Sequence, residues 1–159
     1  MKLIHCADIH LDSPMQTHMT AQQASVRNTE MLQSFVRLTE FAQEHAVRAV
    51  LIAGDLFDGA RVRARTVDAL LAAIRRTPEV DYLYLPGNHD EAANAFCDCA
   101  LPGNLKLFGK TWSTVQYDGI AISGAQLGLD GNVATLAAGF ENQTADDGRV
   151  DLLDQEHLA

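Results

Sequence analysis

The chain is short of positive charge: among 159 residues Lys and Arg number 12 against 21 Asp and Glu, a formal charge of −9. Non-specific grip on nucleic acid is carried by Lys and Arg neutralising phosphates, so binding through bulk positive charge is excluded. Phosphate chemistry on such a chain needs a local positive source, such as metal ions. Cysteine is scarce as well. Cys6, Cys97 and Cys99 are an odd count at spacings that match neither a zinc site nor a disulfide framework, so reduced thiols in a cytoplasm are the expectation. No run approaches the roughly 18 apolar residues that would span a bilayer, and the opening residues lack the apolar stretch of a signal peptide. The expected setting is cytoplasmic, with no membrane partner. Repeats, low-complexity tracts and interdomain linkers are missing too. At 47% apolar and 21% charged residues, the composition fits one globular domain over residues 1–159, since a chain of this size buries about two-thirds of its unfolded surface.

The apolar residues are patterned. Lys2 to Ala7 reads as a buried strand that stops at Asp8 and leaves through a turn-prone stretch with Asp12, Ser13 and Pro14. Thr20 to Gln23 has capping-box spacing, and Leu32, Phe35, Val36 and Thr39 mark one face of a helix running to about Ala46, with a break near Ser25. Ala49 to Ala53 is a second buried strand, ended by Gly54 and Asp55. Val67, Leu70, Leu71 and Ile74 mark a second helix closed by Pro78, and Val80 to Leu85 is a third strand ended by Pro86 and Gly87. Helical connections of this length join parallel strands in one sheet. Leu105 to Phe108 reads as a short strand, and Trp112 to Tyr117 with Ile120 to Gly124 as a hairpin about Asp118-Gly119. Asn132 to Phe140 is a weak helix candidate, and Val150 to Leu153 opens a further strand.

Chemistry-bearing residues stand at the exit of each parallel strand: Asp8-Ile9-His10, then Gly54-Asp55-Leu56-Phe57-Asp58, then Gly87-Asn88-His89-Asp90. Ligand sites of open parallel sheets form outside the carboxyl ends of the strands, so the three clusters converge. Carboxylate, imidazole and amide oxygen or nitrogen without thiolate suit Mn²⁺, Fe²⁺ or Zn²⁺ in a hydrolytic site. In an extended Asp8-Ile9-His10, alternation would send Ile9 to the core and both ligands to one ion. Gly54 and Gly87 would supply sharp turns at the strand ends. Each cluster alone has a plainer reading: Asp8 could cap a turn, Asp55 could be turn chemistry, and Asn88 could hold a left-handed loop position. Turn chemistry does not call for histidine twice. His5 is expected in the core or on a sheet face, His18 and His45 in solvent, and Arg61, Arg63 and Arg65 solvating a helix start.

These residues resemble the signature of the calcineurin-like metallophosphoesterases, D-x-H, G-D and G-N-H-[DE] in order. The stretches His5 to Pro14, Ala53 to Asp58 and Leu101 to Leu105 are most similar to the DNA repair exonuclease branch of SbcD and YhaO type. The resemblance extends as far as the hairpin. It implies an α/β sandwich of mixed β-sheets flanked by helices, of which this chain holds mostly the N-terminal half. It implies two divalent ions, Mn ahead of Fe or Zn, with Asp8 and His10 on the first, Asp55 bridging and Asn88 on the second. His89 would be the catalytic residue, protonating the leaving oxygen or steadying the phosphoryl group. Implied partners are DNA, a coiled-coil ATPase subunit and a second copy of the chain.

The family pattern continues with a further histidine and a G-H-x-H segment, neither of which is spelled here; His157 does not follow the motif. The expectation is therefore either a portion of a longer enzyme or a degenerate site. The function expected is metal-dependent phosphodiester hydrolysis on DNA. The rivals are a phosphatase acting on small phosphoesters or phosphoproteins, and a non-catalytic scaffold with an incomplete metal site.

Overall fold

The computed structural model describes residues 1–15, 19–58, 62–87, 96 and 99–126, together with the backbone of 149–152. The element order is β1 (Leu3–Cys6), α1 (Ala21–Glu44), β2 (Ala49–Ala53), α2 (Ala64–Arg75), β3 (Asp81–Leu85), β4 (Leu105–Leu107), β5 (Ser113–Tyr117), β6 (Ile120–Gly124) and β7 (Arg149–Leu152). Strands β1 to β4 form one sheet in chain order, every neighbour parallel. The second sheet runs β5-β6-β7, with β5 and β6 antiparallel and β7 parallel to β6. The weak helix candidate over Asn132–Phe140 lies outside the described residues.

Three layers result, because the central strands are apolar on both faces. Every residue of β2 and β3 is buried. On one face Val50, Ile52, Tyr82 and Tyr84 pack with Phe35 and Ala42 of α1 and Val67, Leu70, Leu71 and Ile74 of α2. On the other, Ala49, Leu51, Leu83 and Leu85 meet Phe108 and Ile122, so the second sheet closes that side. Burying each large apolar side chain contributes about 1.5–3 kcal/mol, and alternation along the strand directs it to one layer or the other. Gly124 lets the second sheet approach, since a Cβ there would stand 2.7 Å from the Phe108 ring.

Helix α1 opens with the expected capping box: Gln23 N–H donates to Thr20 Oγ1 (3.2 Å) and Thr20 N–H to Gln23 Oε1 (2.8 Å). It does not break near Ser25. Thr29 and Ser34 donate their hydroxyls to the Ser25 and Glu30 carbonyls four residues back, so these polar residues are accommodated within one continuous helix. The C-terminal end of α2 is closed from outside. The Asn104 side-chain amide lies within 3.1 Å of the carbonyls of Ile74, Thr77 and Val80, so it ties the last turn of α2 to the segment that leads into β3.

Among the described residues no helix is long and apolar enough to cross a membrane.

Candidate metal centre

The exits of β1 and β2 run side by side past the end of the sheet. Asp8 N–H donates to Gly54 O (3.3 Å), His10 N–H to Asp55 O (2.9 Å), Leu11 N–H to Leu56 O (2.9 Å), and Asp58 N–H returns to Leu11 O (3.1 Å). Leu11, Leu56 and Phe57 are fully buried and anchor the pair to the core. Gly54 N–H donates to Leu85 O (2.8 Å), which ties the β2 exit to the end of β3.

Asp8-Ile9-His10 is not the extended segment the sequence suggests. Asp8, His10 and Asp12 hold left-handed φ angles of 53°, 48° and 63°. Asp55 joins them at 49°, after Gly54 at 80°. Outside glycine such angles cost on the order of 1–2 kcal/mol each and persist where the surroundings over-determine them, here through the inter-loop hydrogen bonds. Ile9 nonetheless packs on the helix-side core, as alternation would have it. Gly54 needs its glycine for φ. Gly87 is not at positive φ; there the requirement is space, because a Cβ would stand 2.7 Å from Asp55 N.

Asp8, His10 and Asp55 come together. One ligand atom from each lies within 4.8 Å of the others. His10 Nε2 is 3.9 Å from Asp8 Oδ1 and 4.0 Å from Asp55 Oδ2. These separations are too long for hydrogen bonds, and two ligands each about 2.1 Å from a shared ion stand up to roughly 4 Å apart. Asp55 has 8% of its side chain exposed and Asp8 68%, so the pocket has a buried wall and an open one. Carboxylate this deeply buried is favoured by donors or a cation close by. The donor set, two carboxylates and an imidazole without sulfur, fits a divalent ion of intermediate hardness. Asn88 and His89, expected to complete the site, lie outside the described residues; Gly87, one position earlier, is packed on Asp55.

Beside this pocket sits a second set of contacts that the sequence pattern did not reveal. Asp12 accepts from Arg63 N (2.8 Å), from Arg63 Nε (2.8 Å) and from Thr66 Oγ1 (3.0 Å), with the Arg63 guanidinium also engaged through its terminal nitrogen. Asp12 thus caps α2 from another segment. Burial alone would push its carboxyl up, but the hydrogen bonds from Arg63 and Thr66 and the Arg63 charge together hold it below the usual range. Arg63 is therefore no solvating residue, whereas Arg65 is exposed as expected. His5 is exposed on β1, and exposed His45 stacks on Phe41 with ring centroids 3.9 Å apart. His18, Arg61, Cys97 and His157 fall outside the described residues; Cys6 and Cys99 are free thiols. The sequence reading gave Asp58 no role, although it stands three residues after Asp55; its carboxylate faces the other side of the His10 ring.

A parallel sheet with carboxylates and imidazole gathered at its carboxyl edge, backed by helices on one face and a second sheet on the other, is the arrangement of a metallophosphoesterase domain. Residues 1–155 match the calcineurin-like phosphoesterase family, and the chain belongs to it. It is similar to the DNA double-strand break repair protein Mre11 of Methanopyrus kandleri, 30% identical over 95 residues, which is 57% of this chain and 19% of that protein. The chain thus spans a minor part of that relative's length. Among solved structures it resembles the Pseudomonas putida nuclease MPE at 19% identity and a TM-score of 0.40, covering 76% of this chain and 52% of that one.

Proposed function

We propose that the protein is a metal-dependent phosphodiesterase of the SbcD type that cleaves DNA. The observation that carries the reading is the meeting of Asp8, His10 and Asp55 ligand atoms within 4.8 Å at the carboxyl end of the parallel sheet. The DNA substrate rests on the similarity to Mre11, which acts in double-strand break repair by name.

In this reading Asp8, His10, Asp55 and Asn88 would hold the divalent ions, Asp8 and His10 the first, Asn88 the second and Asp55 shared between them, with Mn²⁺ the first candidate and Fe²⁺ or Zn²⁺ the others. When bound, such ions activate water, neutralise phosphoryl oxygens and stabilise an in-line displacement. Two carboxylates against two divalent cations leave a locally positive pocket on an acidic protein, which meets the shortage of Lys and Arg. Asp55, fixed by its buried backbone and by Gly87, sets the position of the pocket floor. Asp8 forms its open wall, where a phosphodiester can enter. His89 delivers a proton to the leaving oxygen, or steadies the charged phosphoryl group, without being a ligand. The protein works in the cytoplasm, and a coiled-coil ATPase and a second copy of the chain are its proposed partners.

The test compares Mn²⁺-dependent turnover of single- and double-stranded DNA with that of small mono- and diesters, for the parent and for His89→Ala. The expected result is DNA cleavage by the parent and none by His89→Ala, with metal content unchanged in the variant. Uncut DNA beside hydrolysed monoesters would replace the nuclease reading with a phosphatase, and a protein that takes up no metal would leave a scaffold.

A further inference from the structure

The imidazole of His10 has carboxylates on both sides. Nε2 faces Asp8 and Asp55, the candidate ligands, whereas Nδ1 faces Asp58 Oδ2 at 3.9 Å. Asp58 lies outside the group whose ligand atoms converge. Its place is fixed independently of the ring. The Asp58 backbone N–H donates to Leu11 O (3.1 Å), and Ser13 Oγ donates to Asp58 Oδ2 (2.6 Å). Ser13 is itself held, its N–H donating to His10 O (3.2 Å) and its carbonyl accepting from Asn28 Nδ2 of α1 (3.0 Å). A carboxylate held by the β1 exit, which Asn28 in turn ties to α1, thus faces the ring nitrogen on the side away from the proposed ion.

We infer that Asp58 is a positioning residue, holding the proton of His10 on Nδ1 so that the Nε2 lone pair points at the cation pocket. The inference rests on the metal-centre reading above. A neutral imidazole carries one N–H, and the group facing one nitrogen decides which nitrogen is left to ligate. An anionic acceptor on the Nδ1 side favours Nδ1–H, and the acidic pocket on the other side receives the lone pair only when a cation lies between them. At 3.9 Å the pair is not yet a hydrogen bond. A ring movement of about 1 Å closes it, which is within ordinary side-chain fluctuation. Ser13 restrains Asp58 from turning into the pocket as a fourth ligand, so the carboxylate orients the histidine instead of competing with it.

Two readouts on the whole protein decide it. The first is the pair of ¹⁵N shifts of the His10 ring in the parent loaded with diamagnetic Zn²⁺, so that a cation lies on the Nε2 side. The expected tautomer is Nδ1–H, moving to a mixture in Asp58→Ala and staying Nδ1–H in Asp58→Asn, whose amide oxygen still accepts. The second is Mn²⁺ affinity by equilibrium dialysis: Asp58→Ala should bind about 10–100-fold more weakly, with Asp58→Asn restoring most of the loss. Nε2–H in the parent overturns the inference whether or not any variant folds. Equal Mn²⁺ affinity of parent and Asp58→Ala, with the tautomer unchanged, also overturns it while leaving the metal centre intact. A parent that binds neither Mn²⁺ nor Zn²⁺ sinks the centre, and the role of Asp58 with it.

Discussion

Gly87 lies directly against Asp55: a Cβ added to Gly87 would stand 2.7 Å from the Asp55 backbone nitrogen and 3.0 Å from Gly54 Cα. The loop that leaves β3 passes the buried carboxylate only because no side chain intervenes. Glycine is needed here for closeness, and at Gly54 for a φ of 80°. One strand exit therefore fixes the geometry of the next.

From that contact follows the effect of Gly87→Ala. The obstructing atoms are mostly backbone and cannot swing aside, so overpacking should cost about 1–3 kcal/mol and push Asp55 off its position. Thermal melting and Mn²⁺ dialysis should show a lower midpoint and affinity weakened about tenfold or more. A variant unchanged in both would mean that the β3 exit yields freely.

Asp55 and Asp8 differ in depth, with 8% and 68% of their side chains exposed. A charge in a low-dielectric wall acts on a nearby cation more strongly than one screened by water. Asp55→Asn should therefore strip more metal than Asp8→Asn, as read by elemental analysis after dialysis. The opposite ranking would contradict the assignment of Asp55 as the pocket floor.

The clamp of Asp12 on Arg63 and Thr66 makes a prediction about stability. Asp12→Ala removes the acceptor at the start of α2 and should cost about 2 kcal/mol. Because folding holds the Asp12 carboxyl below its usual range, the unfolded chain takes the proton first. The contribution is then complete above about pH 4, the ordinary carboxylate value, and is lost as pH falls through the folded value. Urea midpoints measured from about pH 6 down to about pH 3 should fall less steeply for Asp12→Asn than for the parent.

Burial pushes the Cys6 thiol up to about 11, and Sγ donates to Leu51 O at 3.5 Å. Thiolate is the reactive form, so brief alkylation at about pH 8 should leave Cys6 unlabelled by mass spectrometry until the protein is unfolded. The sign for stability is the reverse of Asp12: this contribution is present below the ordinary thiol value of about 8.5 and is lost as pH rises through about 11. Rapid labelling of Cys6 in the native protein would show that β1 opens readily.

That the first three strands run parallel in one sheet was legible in the chain, because runs such as Ala49–Ala53 and Asp81–Leu85 are largely apolar and buried and the segments between them carry helical spacing. The meeting of Asp8, His10 and Asp55 was legible too, because the exits of neighbouring parallel strands leave the sheet at the same edge. Helix α1 was legible in its capping box but not in its continuity through Ser25, where the hydroxyls of Thr29 and Ser34 turn back onto the helix. What the amino-acid order determined by itself was the set of layers and the edge at which chemistry collects. Only the tertiary structure decided the left-handed turns at Asp8, His10 and Asp55, the pairing of Asp12 with Arg63 fifty-one residues away, and the placing of Asp58 behind His10. The physical reason is range. Periodicity records which face of an element is dry, but the hydrogen bonds that impose an unfavourable φ or capture a cation come from segments that meet only after the sheet has formed.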